Sequence, residues 1–329
     1  LLAPRFYSPA GLHPDTINDM VSARSRGRRH WVLGSGEAGM AAVMKRMYQR
    51  GQVGPLWDKL LRGNMLRVRL FFFGATVVVA ATAAALMLLD VPPIWIGLAV
   101  LSGYLAVILA GVMIPRLAMF APVLCRVPNP RAEVVLTFDD GPNPESTRKV
   151  LATLNRFGAH ATFFVLGSKA LAAPEVLREI AAAGHEIGVH GDYHDRLLSL
   201  RHPERIASDV ERAQGAVSAA TGQRPRLFRP PIGHVSPRTA LVASRLGLTL
   251  VGWSVRAQDG LARTTAAAAL RRVVAGLRPG AIVLLHDASE RSQRAPAGVA
   301  ALPAILEETR RRGLRCVSLA QALAQEPSQ

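Results

Sequence analysis

Four short stretches of this sequence gather the residue types that hydrolytic chemistry needs. The first is Asp139-Asp140, which closes the apolar run Val134–Phe138 and precedes Gly141-Pro142. Successive side chains on an extended chain point to opposite faces. The pair therefore divides into two roles, one metal ligand and one base. The second is His190-Gly-Asp-Tyr-His194. Two histidines four apart on a helical turn converge on one ion. With Asp140 they make two imidazoles and one carboxylate, the donor set of a hydrolytic zinc site that keeps a position open for water. The third is Phe228-Arg-Pro-Pro-Ile-Gly233. Arg229 can hold a nearby carboxylate ionised through paired hydrogen bonds, and the rigid Pro-Pro can present a backbone N–H to a developing oxyanion. The fourth is Leu284-Leu-His-Asp287, where a histidine at a strand end beside an acid can serve as general acid. Taken singly, each stretch also fits an ordinary turn or a polar strand terminus. His185 and His202 match no ligand pattern.

The elements that would position these residues alternate. From residue 131 the pattern predicts strand 134–138, helix 146–157, strand 161–166, helix 174–183, strand 186–189 and helix 203–220. It continues with strand 226–229, helix 236–246, strand 248–254, helix 264–277, strand 281–285, helix 297–312, strand 314–318 and a last short helix. Ser146, Pro174, Pro203, Ser236 and Thr264 mark helix starts, and Gly158, Gly184, Gly222, Gly247 and Gly313 mark helix ends. About seven strands, each followed by a helix, imply a parallel sheet, open or closed into a barrel. Such a barrel carries its chemistry at the C-terminal ends of its strands. All four stretches fall there.

The chain has 329 residues, 40 Lys+Arg against 23 Asp+Glu, a formal net charge of +17 and a mean hydropathy of +0.20. Being both cationic and apolar, it segregates charge from grease, which a disordered polycation does not do. Two cysteines exclude a disulfide scaffold and a cysteine-rich zinc module. Residues 1–130 carry 14 basic and 5 acidic residues, a net of +9, and the remainder carries +8. In the C-terminal part the arginines are spaced along helices, as on a solvated surface, and no nucleic-acid footprint is expected.

The grease lies in two uncharged runs, Leu70–Leu89 and Ile94–Ile114, each near the roughly 20 residues that cross a bilayer core. Asp90-Val-Pro-Pro93 between them suits a tight turn, so a two-helix transmembrane hairpin is expected within 65–115. Lys59, Arg62, Arg67 and Arg69 precede it, and Arg116, Arg126 and Arg131 follow it. The positive-inside rule then places both flanks, and the catalytic unit, on the cytoplasmic side of a bacterial inner membrane. The periplasmic or extracellular side stays open. Residues 116–130 read as a linker, and 1–64 as a segment of unknown role whose nativeness is open. Gly34-x-Gly36-x-x-Gly39 in that segment mimics a dinucleotide fingerprint, but no βαβ unit has room there, and no function is assigned to it.

Taken together and in order, the four stretches resemble the polysaccharide deacetylase family (NodB-homology domain, carbohydrate esterase family 4), as a membrane-anchored bacterial member. The family motifs TFDDG, HxxxH, RPPYG, DxxDW and LxxH or LxHD read here as Thr137–Gly141, His190–His194, Arg229–Gly233, Trp253–Gly260 and Leu284–Asp287. The resemblance covers 131–325 and implies a distorted (β/α)7-type barrel that removes N-acetyl groups from an amino-sugar polymer or a lipid-linked sugar. By position it implies Asp139 as base, and Asp140, His190 and His194 as ligands of a divalent metal, foremost Zn2+. It further implies Arg229 as the residue that orients the base, the Ile232 amide as an oxyanion donor, Leu284 as the acetyl-pocket wall and His286 as general acid. Ile232 replaces the usual Tyr, Arg256 stands where an Asp is common, and Gly260 where Trp is common. Asp259 survives and would orient Arg229 or His286. An O-acetyl esterase, a sugar deformylase and a non-catalytic carbohydrate-binding relative are the alternatives.

Overall fold

The computed structural model describes residues 70, 74–82, 84–85, 94–128, 130–290 and 294–324. Helix α1 (Ile94–Met113) precedes strands β1 (Val123–Leu124) and β2 (Glu133–Asp139). Then come α2 (Ser146–Arg156), β3 (Ala161–Val165), α3 (Gly167–Ala172), α4 (Pro174–Ala182), β4 (Glu186–Val189), α5 (Pro203–Thr221), β5 (Leu227–Phe228) and α6 (Pro237–Leu246). The chain ends with β6 (Thr249–Val251), β7 (Val255–Arg256), α7 (Ala266–Gly276), β8 (Ile282–His286), α8 (Ala297–Arg311), β9 (Arg315–Cys316) and α9 (Leu319–Leu323).

The lateral order is β1-β6-β5-β4-β3-β2-β8-β7, with β9 beside the start of β2. Every ladder between these strands is parallel. The path begins at β1 and ends at β7, so the expected barrel is present as an open, curled half-barrel.

Strand β2 is buried at all seven positions, as a strand covered on both faces must be. Its side chains still alternate. Val134, Leu136 and Phe138 join the core under the helices. Val135 joins Leu124, Phe164, Leu227, Val251 and Ile282 inside the curl. The period of two carries Thr137 and Asp139 to the inside. The same period on β8 aligns Leu284 and His286 with Ile282.

Two expectations need correction. The strand expected over 248–254 stops at Val251 as β6; Gly252-Trp253-Ser254 is not strand, and a separate short strand, β7, follows at Val255–Arg256. Arg229 takes up the carbonyls at the break: its Nε donates to Val251 O at 3.4 Å and its Nη2 to Gly252 O at 2.8 Å. The chain also changes partner there, since Gly252 N donates to Leu124 O and Ser254 N to Ile282 O. Second, the segment 116–130 carries β1, which pairs with β6, and Arg126 bridges Ala281. Two strand residues between Pro122 and Pro128 offer no periodicity to read.

Among the described residues one helix, Trp95–Met113, is long and apolar enough to cross a membrane, and only 6% of it is buried in the molecule. The first of the two expected spans, 70–89, lies partly outside the described residues. Its residues 74–82 are helical, and Thr76 Oγ1 is 3.3 Å from Tyr104 Oη of α1. Among the described residues the second expected span is present as a helix, and the first is described only in part. Residues 1–64, with the glycine motif, lie outside it.

Candidate active site

Asp139 ends β2, and Asp140 steps out of the strand with φ +71°. This left-handed turn is uncommon for a residue other than glycine, although Asp tolerates it better than most. It overturns the expectation that the two carboxylates diverge. Asp139 Oδ2 and Asp140 Oδ1 lie 3.8 and 3.6 Å from the same nitrogen, His190 Nε2. Lys169 of α3 fixes the turn from behind. Its Nζ donates to Asp140 O at 2.7 Å and to Ser289 O at 2.8 Å. Burial holds Lys169 below the usual lysine range, against the pull of Asp140 and Asp287.

His190 follows β4. The helical turn expected for His190–His194 is absent; the segment is a loop with φ +90° at Gly191 and +53° at His194. Gly191 is required there, because a Cβ would sit 2.9 Å from Asp209 Oδ1, the oxygen that accepts from Asp192 N. Arg212 Nε donates to Asp192 Oδ2 at 2.6 Å and pins the loop to α5. The loop achieves the convergence a helix would have given. The two rings are 5.0 Å apart, and His194 Nε2 is 3.5 Å from Asp140 Oδ1.

The donor set fits a divalent cation. Atoms of Asp140, His190 and His194, all buried, lie within 4.8 Å of one another. His190 Nδ1 is 2.7 Å from Arg229 O. A carbonyl only accepts, so Nδ1 carries the proton and Nε2 offers its lone pair to the cluster. Burial lowers the His190 pKa and keeps the ring neutral, against the pull of Asp139 and Asp140. Asp140 Oδ1 is buried without a hydrogen bond, although it faces both imidazole nitrogens. Such an orphaned charge is costly in a dry site, and a cation between the three groups removes that cost. Behind His194, its Nδ1 lies 3.4 Å from Glu290 Oε1, and Arg196 Nη2 holds Glu290 Oε2 at 2.5 Å.

Arg229, fully buried, joins the two halves of the site. Its Nη1 donates to Asp139 Oδ1 at 2.6 Å and to Thr137 Oγ1 at 2.8 Å, and its guanidinium stacks 4.1 Å from the Phe164 ring centre. Burial lowers the Arg229 pKa, but Asp139 opposes it.

His286 ends β8, next to Asp139 in the ladder register. Its acid partner is Asp259, not the adjacent Asp287. Asp259 Oδ1 lies 2.9 Å from His286 Nδ1, and Oδ2 accepts from His286 N at 2.9 Å. Burial would lower the His286 pKa, but the hydrogen bond and charge of Asp259 outweigh it and raise it to about 9. Gly298 makes room for this contact, since a Cβ there would overlap Asp259 Oδ2. Asp287 turns away to Thr147 Oγ1 at 2.5 Å, and burial pushes it up to about 7.

Leu284 is buried two residues before His286, and Ile232 is exposed at the rim with φ +52°. A β-branched residue rarely adopts that conformation, and strain of this kind concentrates at functional sites. The departures from the family motifs sit at the mouth: Arg256 lies over Trp253 at 5.9 Å, and a Cβ at Gly260 would lie 3.3 Å from the His286 ring. The seven charged or imidazole residues expected at the site do meet in one place. Lys169, Thr147 and Glu290 were not anticipated. Nothing in their spacing marks them, because each acts from another element on a backbone carbonyl or a partner side chain.

The sequence model of the polysaccharide deacetylase family matches residues 126–251. A peptidoglycan-N-acetylglucosamine deacetylase of Bacillus cereus is 34% identical, over 61% of this chain and 92% of the relative. The peptidoglycan-N-acetylglucosamine deacetylase of Listeria monocytogenes is 37% identical over 51% of this chain, but the match spans only 36% of that longer protein. The structure of the Bacillus subtilis peptidoglycan deacetylase superimposes with a TM-score of 0.52 at 30% identity, over 59% of this chain and 91% of that one. On this site geometry and these matches, the chain belongs to the polysaccharide deacetylase family.

Proposed function

We propose that the chain is a metal-dependent hydrolase that removes N-acetyl groups from an amino-sugar glycan or glycolipid at a membrane. One observation carries the reading. A buried Asp140/His190/His194 donor set is flanked by an Arg229-held carboxylate, Asp139, and an Asp259-held imidazole, His286. Two imidazoles and a carboxylate suit Zn2+. Bound there, the ion would polarise the acetyl carbonyl and acidify a water.

The chain's own residues do the rest. Arg229 engages Asp139 Oδ1 at 2.6 Å, which leaves Asp139 Oδ2 to take the proton of the attacking water. The left-handed turn at Ile232 sets the direction of its amide, which donates to the oxyanion. Leu284 closes the acetyl pocket. His286, protonated through Asp259, gives its proton to the leaving amine, which departs as the free amino sugar.

Helix α1 anchors the chain, and with the run 70–89 as a first span the arginines on both flanks favour a cytoplasmic catalytic unit. The relatives named for peptidoglycan support the acetylated amino sugar as substrate class. The test is acetate release by the full chain from chitin oligomers, peptidoglycan and lipid-linked amino sugars. Release from none of them sinks the reading, and a reporter fused at Gln329 decides the side.

A further inference from the structure

We propose that the face of the half-barrel carrying the site lies against the bilayer surface, so that the amino sugar it takes is carried on a membrane lipid. The proposal rests on the hydrolase reading for its chemistry and on α1 for its geometry. The helix leaves the barrel at the catalytic end. Val235 N, three residues past Ile232, donates to Val112 O at 3.0 Å. Arg116 Nε donates to Trp253 O at 3.3 Å, and its Nη2 to Ser254 O. Pro115 packs 3.4 Å from where a Gly252 Cβ would be. These partners belong to the loops after β5 and β6, the same loops that supply the Ile232 amide and the carbonyls holding Arg229. The span cannot be inserted without bringing those loops to the membrane surface.

The rim of the mouth is built for that neighbour. Tyr193 is 71% exposed, Leu197 55%, Leu200 62% and Ile232 39%. A single exposed leucine carries no meaning. These four sit in two loops that rim the site, and the loops are tied to each other and to the helix exit. Ser236 Oγ donates to Ser199 O at 2.6 Å, and Arg238 Nη1 to Leu200 O at 2.7 Å. The apolar surface continues into Met113, Ile114 and Leu117, also exposed at the end of α1. Apolar side chains and Tyr interleaved with Arg116 and Arg238 match the headgroup and upper acyl region of a bilayer.

The test uses the full chain in lipid nanodiscs. Leu197→Cys and Arg310→Cys each carry a bimane label, with the unmutated chain labelled as blank; Arg310 is exposed on α8, beside the strand starts at Glu133. A headgroup-level nitroxide lipid is expected to quench the label at 197 several-fold more than that at 310. Equal quenching overturns the apposition. In the second arm, Leu197→Asp/Leu200→Asp is compared with the unmutated chain on two substrates, N-acetylglucosamine on a polyprenyl phosphate in the disc and a soluble chitin oligomer. Release from the lipid-borne sugar is expected to fall roughly tenfold and release from the oligomer to hold. Equal loss on both substrates overturns the substrate assignment, as does turnover of peptidoglycan without the lipid-borne sugar. If the unmutated chain releases acetate from nothing, the hydrolase reading fails, and the quenching arm alone decides the apposition.

Discussion

Arg229 holds His190 as well as Asp139: its carbonyl accepts from His190 Nδ1 at 2.7 Å while its Nη1 donates to Asp139 Oδ1 at 2.6 Å. One residue thus fixes the position of the base and the tautomer of a ligand. The coupling passes through the extended Phe228-Arg229-Pro230 backbone. The guanidinium hangs inside the curl and the carbonyl faces β4, where Arg229 N also donates to Val189 O.

Removing the guanidinium leaves a buried, unpaired carboxylate. Arg229→Met is expected to destabilise the fold by about 3–5 kcal/mol, the range for breaking one side of a buried pair. Denaturant unfolding measures it. Adding Asp139→Asn to that variant should return part of the loss, because the orphaned charge goes with it. Additive losses would contradict the pairing.

The pH dependence follows from His286. Its folded pKa, about 9, lies above the ordinary 6.5. A raised histidine contributes stability fully below pH 6.5, and that contribution is lost as pH rises through about 9. As general acid it must hold its proton, so kcat should fall on an alkaline limb near pH 9. Asp259→Asn should move that limb to lower pH and lower kcat. Gly298→Ala, which pushes a methyl onto Asp259, should do the same more weakly. Profiles of kcat against pH check all three, and an unmoved limb would contradict the pairing.

Glu290 should act through His194. Glu290→Gln is expected to weaken metal affinity about 10–100-fold, the usual effect of losing a group that orients a ligand histidine. Competition with a chromophoric chelator reads it without any turnover. Affinity equal to that of the unmutated chain would show that the 3.4 Å contact does not orient the ring.

The regular elements were legible because two signals agreed along most of the chain. Apolar runs such as Val134–Phe138 and Ala161–Leu166 were bounded by glycine or capping residues, and the structure moves most ends by a residue or two. What failed was local geometry at the chemistry. Asp140 and His194 adopt positive φ, so rules for extended strands and helical turns misplaced their side chains, although the residues themselves were the right ones. The His286 partner was ambiguous for another reason. Asp287 is adjacent in sequence, yet an alternating strand sends neighbours to opposite faces, and Asp259 reaches His286 from the loop after β7. Lys169 was invisible because it recognises carbonyls, which every residue has.

The most direct measurement of the central claim is metal binding and acetate release on the same preparations of the full chain, unmutated and Asp139→Asn. The unmutated chain should bind one divalent ion, lose acetate release on chelation and regain it on adding the ion. Asp139→Asn should keep the ion and lose the release, because the ligands remain while the proton acceptor is gone. Acetate release that survives both chelation and Asp139→Asn would contradict the account.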